Sequence, residues 1–260
     1  VFDNIVPELH AHKKKLDYFL KNILVHCEFN HLNPAQVSVL EVGCSNGRNI
    51  SLPLGEFGFS ITGVDIHAPS IESAVASNQN KNVKFIHADI FLSPIEEAFD
   101  VIILSDILEH VDQPGDVLQI ASSLLKENGI ILVCIPNGFG PYELEQKLLR
   151  LLFLDRLITC GIEFWRGVKV RMGREITAYN YESGHVQFFS MSSFSGLCRS
   201  AGFIVVEQQN GALFGGDLTY FFGFISKRFC KMSWAVADLL PRPLVSTWYF
   251  KLTKNLEMKA

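Results

Sequence analysis

With 260 residues, 48% of them apolar and 19% charged, the chain has material for one large domain and a substantial core, which excludes a disordered or fibrous protein. A net charge of −4 argues against a general nucleic-acid binder, which carries a basic excess. The six cysteines, at 27, 44, 134, 160, 198 and 230, form no CxxC and no zinc-ligand spacing, as suits reduced core thiols in a cytoplasm.

The opening is amphipathic and lysine-bearing, unlike a secretory signal. No run of about 18 uncharged apolar residues occurs, so no transmembrane helix is expected. Residues 7–27 read as a helix, with Leu16, Phe19, Leu20 and Leu24 at helical spacing. Short, β-branched, nearly continuous apolar runs then predict strands over 38–42, 59–66, 82–90, 99–105 and 129–136. Between the last two lies a helix with Pro114 in its first turn, Val117, Ala121, Leu124 and Leu125 on one face, and Gly129 after its end. Such alternation implies right-handed crossovers and a parallel sheet with helices on both faces. Ligands of such sheets bind beyond the carboxyl ends of the strands.

The alternation breaks at 138–183, read as an insertion. Helix returns with Phe194, Leu197, Cys198 and Ala201 on one face, followed by a strand over 203–210 that pairs with 218–225. The organisation is therefore an N-terminal helix (1–35), a first half carrying the glycine turn (36–137), the insertion (138–183), a last helix and strands (184–226) and a helical tail (227–260).

The stretch VLEVGCSNGRNI, residues 39–50, puts a glycine-rich turn directly after a strand. A dinucleotide fingerprint counted from Gly43 needs glycines where Ser45 and Arg48 stand, and no Gly-Lys-Ser/Thr ending for a phosphate loop is present. The pattern is E-x-G-x-S-x-G, with Glu41 two residues before the first glycine. An acid there repels a pyrophosphate but attracts an ammonium, so the turn suits a nucleoside bearing an amino acid. Taken singly, a Gly–Ser–Gly turn is as readily structural, and an aspartate ending a strand is often a helix N-cap.

The stretch resembles motif I of the class I S-adenosylmethionine-dependent methyltransferases, and the resemblance continues in order over about residues 36–210. It implies a Rossmann-like, seven-stranded, mostly parallel sheet of order 3-2-1-4-5-7-6, with S-adenosylmethionine as cofactor and S-adenosylhomocysteine as product. By that resemblance Glu41 acts on the methionine end, and Gly43, Ser45 and Gly47 let the backbone approach. Asp65 in GVDI holds the ribose hydroxyls, Asp89 in HADI meets the adenine amino group, and Ile90 offers its amide. Cys44, Asn46, Ile66 and Ser105 complete the cofactor set. Ser45 departs from the family's middle glycine, which weakens backbone freedom without removing the site.

Orientation alone supplies up to roughly 7–11 kcal/mol to such a transfer, and an alcohol or phenol acceptor also needs a base. His110 and His185 are the catalytic candidates. Asp106, Glu109, His110 and His185, as D-x-x-E-H plus a distant His, resemble the divalent-metal site of the ubiquinone-pathway O-methyltransferases and of some RNA 3′-end methyltransferases. Relatives without metal also carry LEHV, so His110 shaping the cofactor pocket and His185 as a structural histidine remain open.

LEQKLLRLLFLDRLI (144–158), apolar on nearly every side, reads as buried or facing an apolar ligand, and Arg166, Lys169, Arg171 and Arg174 follow it. Together they suggest an acceptor with an apolar part and an anionic group, or else a lid docked on the core. The tail's aromatics and basic residues suit peripheral membrane contact, a homodimer interface or a cover for the sheet edge. The expected function is methylation of an oxygen of a small molecule or a lipid- or sugar-linked intermediate. A non-catalytic cofactor-binding scaffold is the alternative, and an RNA methyltransferase is disfavoured by the acidic balance.

Overall fold

A computed structural model describes residues 12–92, 95–153, 160–161, 164, 171, 184–213 and 227–255. In chain order the elements are α1 (Lys13–Phe29), β1 (Ser38–Val42), α2 (Ser51–Gly55), β2 (Ser60–Asp65), α3 (Ala68–Ser77), β3 (Val83–His87) and β4 (Phe99–Ser105). They continue with α4 (Pro114–Leu124), β5 (Leu125–Pro136), α5 (Pro141–Leu151), α6 (Met191–Ser200), β6 (Phe203–Asn210), α7 (Lys227–Leu239) and β7 (Thr247–Lys254). The strands form one seven-stranded sheet in the order β3-β2-β1-β4-β5-β7-β6. Neighbours from β3 to β5 run parallel, while β7 is antiparallel to both β5 and β6.

Alternation along the strands divides the core into two layers. Leu40, Ile102, Leu104, Ile131 and Val133 face α4 and α6, where Val117, Leu118, Ala121, Phe194 and Cys198 cover them. Val39, Val101, Ile103 and Leu132 face the other way, against Leu16, Phe19, Leu20 and Ile23 of α1 and Leu54 of α2. All seven residues of β4 are buried, as a central strand covered on both sides requires. The order reverses between β1 and β4, so the carboxyl ends of those strands open the crevice where such sheets take ligands.

The structure corrects the expected tail. Residues 227–239 are helical, but Thr247–Lys254 form β7, which inserts between β5 and β6 and pairs Pro136 with Thr247 and Asn210 with Trp248. Trp248, Tyr249 and Phe250 are core residues there, so they are not available to a membrane surface or a dimer partner. The described partner of β6 is thus β7, and residues 218–225 lie outside the described residues. β5 also starts earlier than expected. Leu125 pairs with Phe99, and a register shift before Val101 absorbs the extra residues, with Lys126 Nζ 2.8 Å from Asp100 Oδ2. Among the described residues no helix is long and apolar enough to cross a membrane.

Candidate active site

At the end of β1 the chain turns through Gly43 (φ +74°), Ser45 (φ +49°) and Gly47 (φ +70°). A side chain at Gly43 would run into Ile107 and one at Gly47 into the Phe85 ring, so the two glycines are fixed by packing as well as by φ. Ser45 holds the left-handed conformation at a cost of about 1–2 kcal/mol. Asp65, ending β2, offsets it: Oδ2 accepts the Ser45 amide at 2.6 Å, while Oδ1 accepts the His67 amide at 2.8 Å. Cys44 and Asn46 are buried within the turn, and Asn46 Oδ1 accepts the Arg48 amide at 3.2 Å. Ile66 is exposed beside Asp65. Asp89 and Ile90 lie just past β3; Asp89 Oδ1 accepts the Phe91 amide at 2.9 Å, and Ile90 packs against the core.

Glu41 is 3% exposed and accepts a hydrogen bond from Ser51 Oγ. Burial pushes its carboxyl up to about 8, against the opposing pull of Ser51 and of the Lys15 ammonium. Glu41 therefore stands behind the turn and does not open into the crevice.

Past β4, Ser105 donates to Asp106 at 3.0 Å, and Asp106 is ion-paired with Lys15 of α1. Cys134 Sγ lies 3.1 Å from the other Asp106 oxygen. Burial pushes the Asp106 carboxyl up, but the Lys15 charge and hydrogen bond, joined by the Cys134 hydrogen bond, together outweigh it and bring it to about 2. Asp106 (φ +54°) thus takes a strained backbone conformation beside a cation.

The single 3₁₀ turn Leu108–His110 carries the next two candidates. Glu109 is 1% exposed, and its Oε2 has no hydrogen-bond partner among the described residues. Burial, reinforced by the Asp106 charge, raises its carboxyl well above the usual range. The main chain brings His185 alongside: Val186 and Gln187 both donate to the Glu109 carbonyl, at 2.9 and 3.0 Å. One ligand atom each from Glu109, His110 and His185 lies within 4.8 Å of the others. Asp106, expected in that set, is held by Lys15, Ser105 and Cys134 instead. His110 Nδ1 donates to the Gly184 carbonyl at 3.2 Å, and burial holds its imidazole below the usual pKa, hence neutral at pH 7. His185 Nδ1 is 2.9 Å from Glu143 Oε1 of α5.

The sequence reading missed Lys15 and Glu143. A lysine among three in a row and an acid in a helix's first turn carry no local mark of a site role. The apolar stretch after Glu143 is only partly buried: Leu149 is covered, while Leu144, Leu148, Leu151, Leu152 and Phe153 are exposed. Residues 154–158 of it, with Arg166, Lys169 and Arg174, lie outside the described residues, and Arg171 is exposed.

The strand order, the turn after β1 and the acids ending β1 and β2 define a Rossmann-like fold of the class I methyltransferase type. The methyltransferase-domain family model matches residues 12–208, and the chain belongs to that family. The ubiquinone biosynthesis O-methyltransferase of Rickettsia akari is 30% identical over 128 residues, 47% of this chain and 48% of that protein. The chain thus aligns with about half the length of that relative. The magnesium protoporphyrin IX methyltransferase of Synechocystis, solved with bound S-adenosylhomocysteine, superposes with a TM-score of 0.56 at 14% identity, covering 94% of this chain and 83% of that one. A [4+2]-cyclase superposes with a TM-score of 0.55 at 16% identity, covering 90% and 80%. At such identities the likeness is one of fold.

Proposed function

We propose that the chain moves the methyl group of S-adenosylmethionine to an oxygen of a small-molecule acceptor. The observation that carries this reading is the rim itself: a glycine turn pinned by Asp65, with no phosphate-binding set, beside a cluster of two imidazoles and a buried carboxylate. The cofactor's ribose hydroxyls go to Asp65, which keeps lone pairs beyond the two amides it accepts, and the adenine to Asp89, Ile90 and the exposed Ile66. Ser105 closes the methionine end, where Lys15 supplies a cation for the carboxylate. Glu41, held behind the turn by Ser51, supports the backbone that meets the methionine end.

In the transfer, an oxygen lone pair of the acceptor attacks the methyl carbon and the carbon–sulfur bond breaks toward sulfur, leaving S-adenosylhomocysteine. The hydroxyl proton passes to a base, a role assigned here to Nε2 of His185. Glu109, His110 and His185 also fit a divalent cation, since two imidazoles and a carboxylate are a common donor set and Glu109 Oε2 is buried without a partner among the described residues. Such a cation, when bound, lowers the pKa of an acceptor hydroxyl. The exposed leucines of α5 next to Glu143 favour an acceptor with an apolar portion, lipid-linked acceptors included.

The test supplies methyl-labelled S-adenosylmethionine with a panel of phenols, catechols and lipid-linked alcohols, and with RNA as a separate arm. Label in an oxygen-linked methyl of a small acceptor supports the reading. Cofactor binding without turnover on any acceptor would leave a cofactor-binding protein of other function; label in RNA would overturn the small-molecule assignment.

A further inference from the structure

Two histidines share the space beside Glu109, and each has one ring nitrogen already committed. His110 Nδ1 faces the carbonyl of Gly184 at 3.2 Å, and a carbonyl only accepts, so that nitrogen carries the proton. His185 Nδ1 faces Glu143 Oε1 at 2.9 Å. Glu143 is 7% exposed, lies in the first turn of α5 and comes from a part of the chain 42 residues away. The His185 ring is also packed from the sides: His110 lies edge-on with centroids 5.1 Å apart, and Tyr142 lies at 5.6 Å. A buried carboxylate on one nitrogen and rings on two sides leave the imidazole one orientation.

We infer that Glu143 is the positioning residue of this site: by accepting the Nδ1 proton of His185 it fixes the ring's tautomer and turns the Nε2 lone pair toward Glu109 and His110. The arrangement gives the cluster two bare Nε2 atoms in place of a mixture of tautomers. It equips the site equally for holding a divalent cation and for taking a proton from an acceptor. Its use in catalysis rests on the methyl-transfer reading; the tautomer itself does not.

The first readout is long-range nitrogen–proton NMR of the full chain labelled with 15N-histidine, without cofactor, in mildly alkaline buffer above the usual histidine range. Wild type is expected to give His185 with a protonated Nδ1 and a bare Nε2. Glu143→Ala should lose that pattern, and Glu143→Gln, whose amide oxygen still accepts, should keep it. The second readout is calorimetric titration with Zn²⁺. Glu143→Ala should weaken binding about 10–100-fold, as loss of an outer carboxylate does, with Glu143→Gln between it and wild type. A purely structural tie between α5 and the 184–189 segment predicts a lower melting temperature with zinc affinity and tautomer unchanged, and that result overturns the inference. So does a wild-type His185 protonated on Nε2. If wild type takes no zinc but the tautomer shifts as expected, the positioning role stands and the metal falls. If the tautomer shifts while no acceptor is methylated, the functional reading fails and this one survives.

Discussion

The two sides of the crevice are built in different ways. On the β1–β2 side, polar groups are held by backbone bonds over short stretches: Asp65 grips the amides of Ser45 and His67, 20 and 2 residues away. On the β4 side they are held by side chains from far along the chain. Lys15 reaches Asp106 across 91 residues, His110 reaches Gly184 across 74, and Glu143 reaches His185 across 42. A cofactor common to a whole family can be met by a local motif on strands of fixed register. The β4 side is assembled from α1, α5 and the approach to α6. The contrast teaches where specificity in this chain must be sought.

Substitutions can break or sharpen that contrast. Lys15→Ala should act first on the β4 side. It strips Asp106 of its cation; breaking a fully buried pair costs about 3–5 kcal/mol, and the side-chain exposure of Asp106, 39%, discounts this to about 2 kcal/mol. Urea denaturation would read it, and adding Asp106→Ala should recover part of the loss.

Glu41→Gln addresses the β1 side through pH. The Glu41 carboxyl is raised from 4.5 to about 8 in the folded chain, so folding takes up a proton between those values. Its contribution is complete below 4.5 and lost as pH rises through 8. Wild type should lose melting temperature across that window, and the glutamine variant should have a flatter profile.

The smallest effect belongs to Ser45→Gly. Relief of the left-handed strain is worth about 1–2 kcal/mol, less the greater freedom glycine gives the unfolded chain, about 0.4–1 kcal/mol. A net gain of about 0–1.6 kcal/mol is expected, with cofactor binding retained because Asp65 bonds to a backbone amide.

The same division explains what could be read without coordinates. β1, β2, β4 and β6 lie within a residue of their expected spans because buried β-branched runs between turn residues have few other solutions. The glycine turn was legible as a pattern, while Asp65, Asp89 and the set of Asp106, Glu109, His110 and His185 came from the family resemblance; the structure brings the last three together and ties Asp106 to Lys15. β7 was missed, although TWYFKLT is rich in aromatic and β-branched residues; the helical pattern of 227–239 was carried too far. For Lys15, Glu143 and the diversion of Asp106, no local signal exists. Each depends on a contact that only the closed fold makes, and a buried lysine looks in sequence like a solvated one.

The central claim, that the β1–β2 rim holds an S-adenosyl nucleoside, is tested most directly by calorimetric titration of wild type and Asp65→Ala with S-adenosylhomocysteine. Wild type should bind one equivalent. Loss of two hydrogen bonds to a charged acceptor, about 1.5–3 kcal/mol each, should weaken the variant by about 100-fold or more. A folded wild type that does not bind, or an Asp65→Ala variant that binds as tightly, would contradict it.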